Sequence, residues 1–154
     1  MKRKIPRIGD IIEMQTPKGL AYAQYTHKRP LYGSLLRVLP GLYARRPDSF
    51  KELVASKERF YIFFPLGAAV SRAIVTLVDN EAVPLWAQEF PLMRKAGGID
   101  RSGKVLNWWL WDGKREWRVD CLSQKQKELS VAEVWNDTLL FERIVEDWSL
   151  QDEG

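Results

Sequence analysis

One cysteine and one histidine occur in the 154 residues of this chain. Cys121 alone excludes an internal disulfide and fits a reducing compartment. With His27 as the sole imidazole, a Cys/His zinc site cannot be assembled within a single chain. No GxxxxGK[ST], GxGxxG or GxSxG sequence is present, so the phosphate-cradling loops and the nucleophile elbow built on those spacings are missing. Long hydrophobic runs are missing too. The longest, residues 60–70, is broken by Pro65 and Gly67 and falls far short of the ~20 apolar residues that span a bilayer. Lys2, Arg3, Lys4 and Arg7 make a basic start with no apolar segment behind it, so no secretory signal is expected and the cytoplasm is the expected location. Internal repeats and Pro/Ser-rich linkers are absent as well.

The residues that are present suit a folded domain: 45% are hydrophobic and 29% charged. A single domain over residues 1–154 is expected, with 1–7 and 149–154 as frayed tails. The net charge of +4 conceals an asymmetry. Residues 1–60 hold thirteen Lys/Arg against five Asp/Glu, and from Glu128 onward eight acids face Arg143 alone. A basic half could meet nucleic acid or an acidic protein, and an acidic end could fold back on it or attract a basic partner.

Four of the seven tryptophans fall between Asn107 and Val119, on both sides of Asp112-Gly113. Aromatic, strand-forming residues around Asp-Gly are a strong hairpin signal. A two-residue turn would set Trp111 opposite Lys114 and Trp108 opposite Trp117, and a four-residue loop would keep the same parity. Leu106, Trp108, Leu110, Trp117 and Val119 then share one face, expected to be core. The other face carries Asn107, Trp109, Trp111, Lys114, Glu116 and Arg118. Two readings of Trp109 and Trp111 stand. Either the C-terminal helix or residues 83–93 cover them, or they form an exposed anchor patch with Lys114, Glu116 and Arg118 as partner-binding candidates.

Along the chain, strands are expected at residues 8–14, 20–27, 35–39 and 74–78. Residues 59–64 are apolar enough for a central strand covered on both faces. Tyr22 and His27, an odd number of residues apart, are expected on opposite faces of their strand. Asp48 is expected to cap a short helix near 48–56, with Phe50, Leu53 and Val54 inward. Residues 83–93 read as extended but irregular, with Trp86 plugged onto the core, and residues 95–104 as a flexible loop. Ser130-Val131-Ala132-Glu133 fits a capping box and Asn136 offers a second N-cap. A helical stripe of Leu140, Phe141, Ile144, Val145 and Trp148 then predicts a C-terminal helix near 136–148, packed close to the hairpin.

Catalytic candidates are few. His27 reads as a core or rim residue, Cys121 as a buried, inert thiol on the inward side of the hairpin, and Asp10 as a strand-start residue binding its own backbone. No metal and no cofactor are expected. The fold class is α+β: a strongly curved, mostly antiparallel sheet, partly open and barrel-like, with the two helices.

Ile8-Gly9-Asp10-Ile11-Ile12-Glu13, a turn, then Leu20-Ala21-Tyr22-Ala23-Gln24 resembles the opening of immunity-protein family 26 of bacterial polymorphic toxin systems. Phe63-Phe64 is similar to the family's aromatic middle strand, and a later Trp-containing segment extends the likeness over most of residues 8–120. Ala23-Gln24 stands where the family often has a small residue and glycine. The resemblance implies non-catalytic neutralisation of a cognate toxin protein by tight binding in the cytoplasm. It carries over no toxin-contacting residue. Two other functions compete with it: a nucleic-acid-binding module using a basic and aromatic surface, and an enzyme with a carboxylate-centred site.

Overall fold

A computed structural model describes residues 5–150. Eight strands form two antiparallel sheets, and neither closes into a barrel. The α+β class holds; the one curved sheet expected from the sequence is in fact two. The first sheet has the order β4-β3-β2-β1-β5, built from β1 Asp10–Thr16, β2 Gly19–Arg29, β3 Gly33–Val38, β4 Phe60–Phe64 and β5 Thr76–Asn80. The second has the order β6-β7-β8: Met93–Ile99, Val105–Trp111 and Glu116–Val119. Four short helices accompany them: α1 Lys51–Ala55, α2 Leu66–Ser71, α3 Leu85–Gln88 and α4 Asp137–Val145. No helix among the described residues is long and apolar enough to cross a membrane.

Strand β4 lies at the edge of the first sheet, not at its centre as expected, but both of its faces are covered, which explains why it is uniformly apolar. Phe60, Ile62 and Phe64 join Ile12, Met14, Tyr25, Leu36 and Val38 under Leu140 and Ile144 of α4. On the opposite face, Ile11, Tyr22 and Leu39 pack against Phe50, Leu53 and Val54 of the α1 region. Farther along that face, Leu35, Tyr61 and Phe63 meet Met93 and Trp111 of the second sheet. Each large side chain so buried contributes roughly 1.5–3 kcal/mol of apolar transfer. The helix α4 therefore lies on the far face of the first sheet and covers neither Trp109 nor Trp111, contrary to its expected place near the hairpin.

Residues 130–135 join the sheets. Val131 bridges Arg94 of β6 and Val134 bridges Phe63 of β4, both in parallel. Ser130 Oγ accepts the outward N–H of Tyr61 at 2.8 Å, satisfying an edge donor that is buried. The Ser130 capping box is thus replaced by sheet contacts, and Asn136 caps α4 by accepting the Leu139 N–H at 2.8 Å. The helix ends at Val145, three residues early, where Asp147 turns left-handed (φ +58°) and the Trp148 N–H bonds the Arg143 carbonyl. Trp148 still packs inward, its ring 5.3 Å from Phe60 and 5.2 Å from Trp135. Leu150 packs against the same core and its carbonyl accepts from Arg94. The rest of the tail expected beyond it lies outside the described residues, as do residues 1–4.

Several local expectations change for identifiable reasons. A bulge between Tyr25 and His27 pairs His27 with Leu35, which brings it onto the face of Tyr22 and Gln24. The helix α1 starts at Lys51 behind Phe50, with no side-chain cap from Asp48. Trp86 is 56% exposed, and the buried residue of α3 is its neighbour Ala87. Residues 95–99 are strand β6, not loop, because Gly97 and Gly98 admit bulges opposite Asn107. A Cβ at Gly97 would overlap Asn107 Oδ1. Cys121, just past β8, is exposed.

Candidate functional site

The central strand β7 determines the geometry of the second sheet. Its register pairs Trp111 with Glu116, Leu110 with Trp117, Trp109 with Arg118 and Trp108 with Val119. The connection is a four-residue loop, so the pairs slip by two from the tight-turn register while each residue keeps its face. Asp112 makes that loop: its Oδ1 accepts the N–H groups of Lys114 (2.9 Å) and Arg115 (2.7 Å), which hold its carboxyl below the usual range. Trp108 and Leu110 are buried as expected, but Trp117 is 41% and Leu106 63% exposed. They extend past the cover given by Arg94, whose guanidinium lies 4.8 Å above the Trp108 ring.

On the opposite face the five sequence candidates separate. Trp111 is buried, with rings of Tyr32 and Phe90 at 5.0 Å and Phe63 at 6.1 Å. Phe90 comes from residues 83–93 and Tyr32 from the tip of the β2–β3 hairpin, so those elements, not α4, cover it. Trp111 is a packing anchor and is removed from the binding surface. Trp109, one row back, is half-buried and lies between Lys95 of β6 and Arg118 of β8. Lys95 Nζ bonds Glu116 Oε2 at 2.7 Å and sits 5.3 Å from the Trp111 centroid. The Glu116 bond holds the ammonium above its ordinary pKa. Arg118 pairs with Asp120 at 3.1 Å, both well exposed. Lys114 is exposed in the loop. The structure therefore groups Trp109, Glu116 and Arg118 with Lys95, which the sequence reading placed in a loop. Strand parity would have found Lys95 had β6 been recognised.

Other ionisable groups are tied into the fold. Asp10 is fully buried and accepts from the Arg7 N–H (2.7 Å) and Asn80 Nδ2 (2.9 Å), the strand-start role expected of it. Gly9 beside it has φ +94°, and a Cβ there would lie 2.7 Å from the Glu81 carbonyl oxygen. Glu13 is gripped by Arg46 at 2.7 and 3.0 Å, which holds its carboxyl below the usual range, and it accepts the Tyr22 hydroxyl at 2.8 Å. Burial and that carboxylate push the Tyr22 phenol up. Arg37, fully buried, donates to Glu58, Gln24 and the Val54 and Ser56 carbonyls. Glu58 lines an open depression of about 250 Å³ between residues 57–61 and 128–130, but Arg37 and the Tyr61 hydroxyl engage its carboxylate. His27 donates from Nε2 to the Gln88 carbonyl at 2.8 Å, and its Nδ1 lies 2.9 Å from the Thr26 hydroxyl. Its ring edge meets Phe90, so it straps residues 88–90 onto β2. No group of three metal-ligating side chains occurs among the described residues.

What this arrangement can do chemically is bind: one aromatic ring amid charges of both signs, on a sheet whose neighbouring tryptophan is locked in the core. In comparisons with known proteins, no family model matches this chain, and no curated protein or solved structure matches it significantly.

Proposed function

We propose that this protein is a non-catalytic protein-binding module that neutralises a cognate bacterial toxin, as its resemblance to immunity-protein family 26 implies. The observation that carries the binding part of this reading is the row Lys95–Trp109–Arg118 with Glu116, on the same sheet face as Trp111, which anchors that face in the core. A partly exposed tryptophan held by its neighbours loses little conformational freedom when a partner covers it, and tryptophan and arginine are over-represented among binding hot spots. The surrounding charges would orient the partner and reject wrong ones more than they add affinity. Buried carboxylates saturated by arginine, amide and backbone donors support binding over a carboxylate-centred reaction.

Co-expression with the product of the adjacent gene tests the reading. The expected result is protection from a toxic neighbour and a stable complex, weakened by Trp109→Ala with thermal stability retained. A neighbour that is harmless and does not bind would overturn it. A nucleic-acid module is the second reading, favoured by the same tryptophan between two cations. It predicts a steep loss of single-stranded DNA affinity with rising salt. Glu116 and Asp120, paired to those cations, weaken it.

A further inference from the structure

The tip of the β2–β3 hairpin carries a side chain that fold stability does not account for. Leu31 is 102% exposed, and its backbone is left-handed at φ +72°, a region in which a β-carbon is disfavoured. Glycine or asparagine would relax the turn, yet a leucine stands there in full contact with water. Its neighbour Tyr32 turns inward onto Trp111 (5.0 Å) and Phe63 (4.7 Å), so the tip is anchored. Arg29 extends the tip toward the β7–β8 loop: its guanidinium covers Phe90 at 4.3 Å, and its Nη2 lies 3.2 Å from where a Cβ on Gly113 would be. The two turns are therefore adjacent. Lys28, Lys114 and Arg115 are exposed, and neither they nor Arg29 form an ion pair among the described residues. Asp112, in the same loop, offsets part of this charge and is itself drawn down partly by Arg115, while Glu116 is held by Lys95, so the cations at the two turns still outnumber the unpaired acids beside them. Glu89, next to Phe90 in the chain, is exposed and pairs with none of them.

We propose that this joint tip, with Leu31 as an apolar knob on the turn that follows Lys28 and Arg29 and beside the loop of Lys114 and Arg115, docks on an acidic protein surface that offers the leucine a pocket. The inference rests on the protein-binding reading above and names the chemistry of the partner. Charge complementarity selects the acidic surface, and the lone branched side chain selects a pocket. A lipid surface fits less well, since one leucine buries too little apolar area to hold a bilayer. Nucleic acid fits less well because the ring at the tip, Tyr32, is committed to Trp111 and Phe63 and is not free to stack on a base.

Binding of four probes to the full chain tests this: polyglutamate, a random glutamate–tyrosine copolymer, phosphatidylglycerol vesicles and an oligo-dT strand. The copolymer should bind more tightly than polyglutamate. Leu31→Gly should weaken copolymer binding by roughly tenfold or more, the scale of one buried leucine, and leave polyglutamate binding unchanged. Glycine suits the left-handed turn, so the same variant should melt no lower than the parent, which excludes unfolding as the cause. Lys114→Glu with Arg115→Glu should weaken both acidic probes. Equal affinity for the two polymers, or indifference to Leu31→Gly, would overturn the proposal. Tighter binding of vesicles or oligo-dT would also overturn it, as would self-association abolished by Leu31→Gly, which would make a second copy the occupant. A harmless adjacent gene product would sink the toxin reading and leave these affinities untouched, so the two failures are distinguishable.

Discussion

Replacing each tryptophan of the hairpin by alanine should separate packing from presentation. Trp111 has rings on three sides, at 5.0, 5.0 and 6.1 Å, and a lysine ammonium at 5.3 Å. Its removal would leave a cavity between the two sheets that Tyr32, Phe63 and Phe90 can only partly fill. The expected cost is about 3–5 kcal/mol, the range for a buried aromatic cut to alanine. A domain of this size has roughly 5–15 kcal/mol to lose. At about 2–4 °C per kcal/mol, the melting temperature should fall by about 6–20 °C. Trp109→Ala, at a half-buried position, should cost about 1 kcal/mol or less, and Trp117→Ala on the open edge strand should behave similarly. Urea unfolding followed by circular dichroism, with unchanged m-values, measures all three on one scale. Equal losses at Trp109 and Trp111 would refute the assignment of one to the surface and the other to the core.

Ser130→Ala should cost about 1–3 kcal/mol, since it strands the buried Tyr61 N–H without an acceptor; faster hydrogen exchange at that amide would confirm the cause. The pH dependence of stability should have a component from His27, whose pKa is lowered by burial, with Arg29 acting in the same direction against the Gln88 carbonyl. Because the unfolded state binds the proton more readily, that contribution is complete above the ordinary value of 6.5 and is lost as pH falls below it. His27→Gln should flatten the slope of stability as pH falls below the ordinary histidine value of 6.5. The separate loss below pH 4.5, where Glu13 lets go of Arg46, should remain.

Local pattern carried much of the secondary structure. Uniform apolarity marked β4 as doubly covered, and strand parity put Trp109 and Trp111 on one face with Glu116 and Arg118 whatever the loop length. Parity failed where a bulge intervened: one extra residue near Thr26 moved His27 to the other side of β2. The apparent flexible loop at 95–104 failed differently. Glycines that look like freedom in isolation are demanded here by the close approach of Asn107, a contact that exists only once β6 and β7 pair. Lys95, Leu31 and Arg29 escaped notice for the same reason, because their significance lies in which turns and strands adjoin them.

By itself, the sequence determined the α+β class, the coverage of residues 60–64 on both faces, the Asp112 loop and the division of the hairpin into two faces, since these depend on periodicity and on local hydrogen bonding. That this strand sits at a sheet edge and not at its centre was a tertiary outcome. Tertiary structure alone decided which tryptophan is exposed. Burial depends on what covers a face, and the covers come from far along the chain: Tyr32 and Phe90 over Trp111, Arg94 over Trp108, partial cover over Trp109, and too little over Trp117 to bury it. Residues 130–135 likewise read as a helix start until the open edges of β4 and β6 supplied partners for their backbone. Those long-range pairings are encoded in no single stretch.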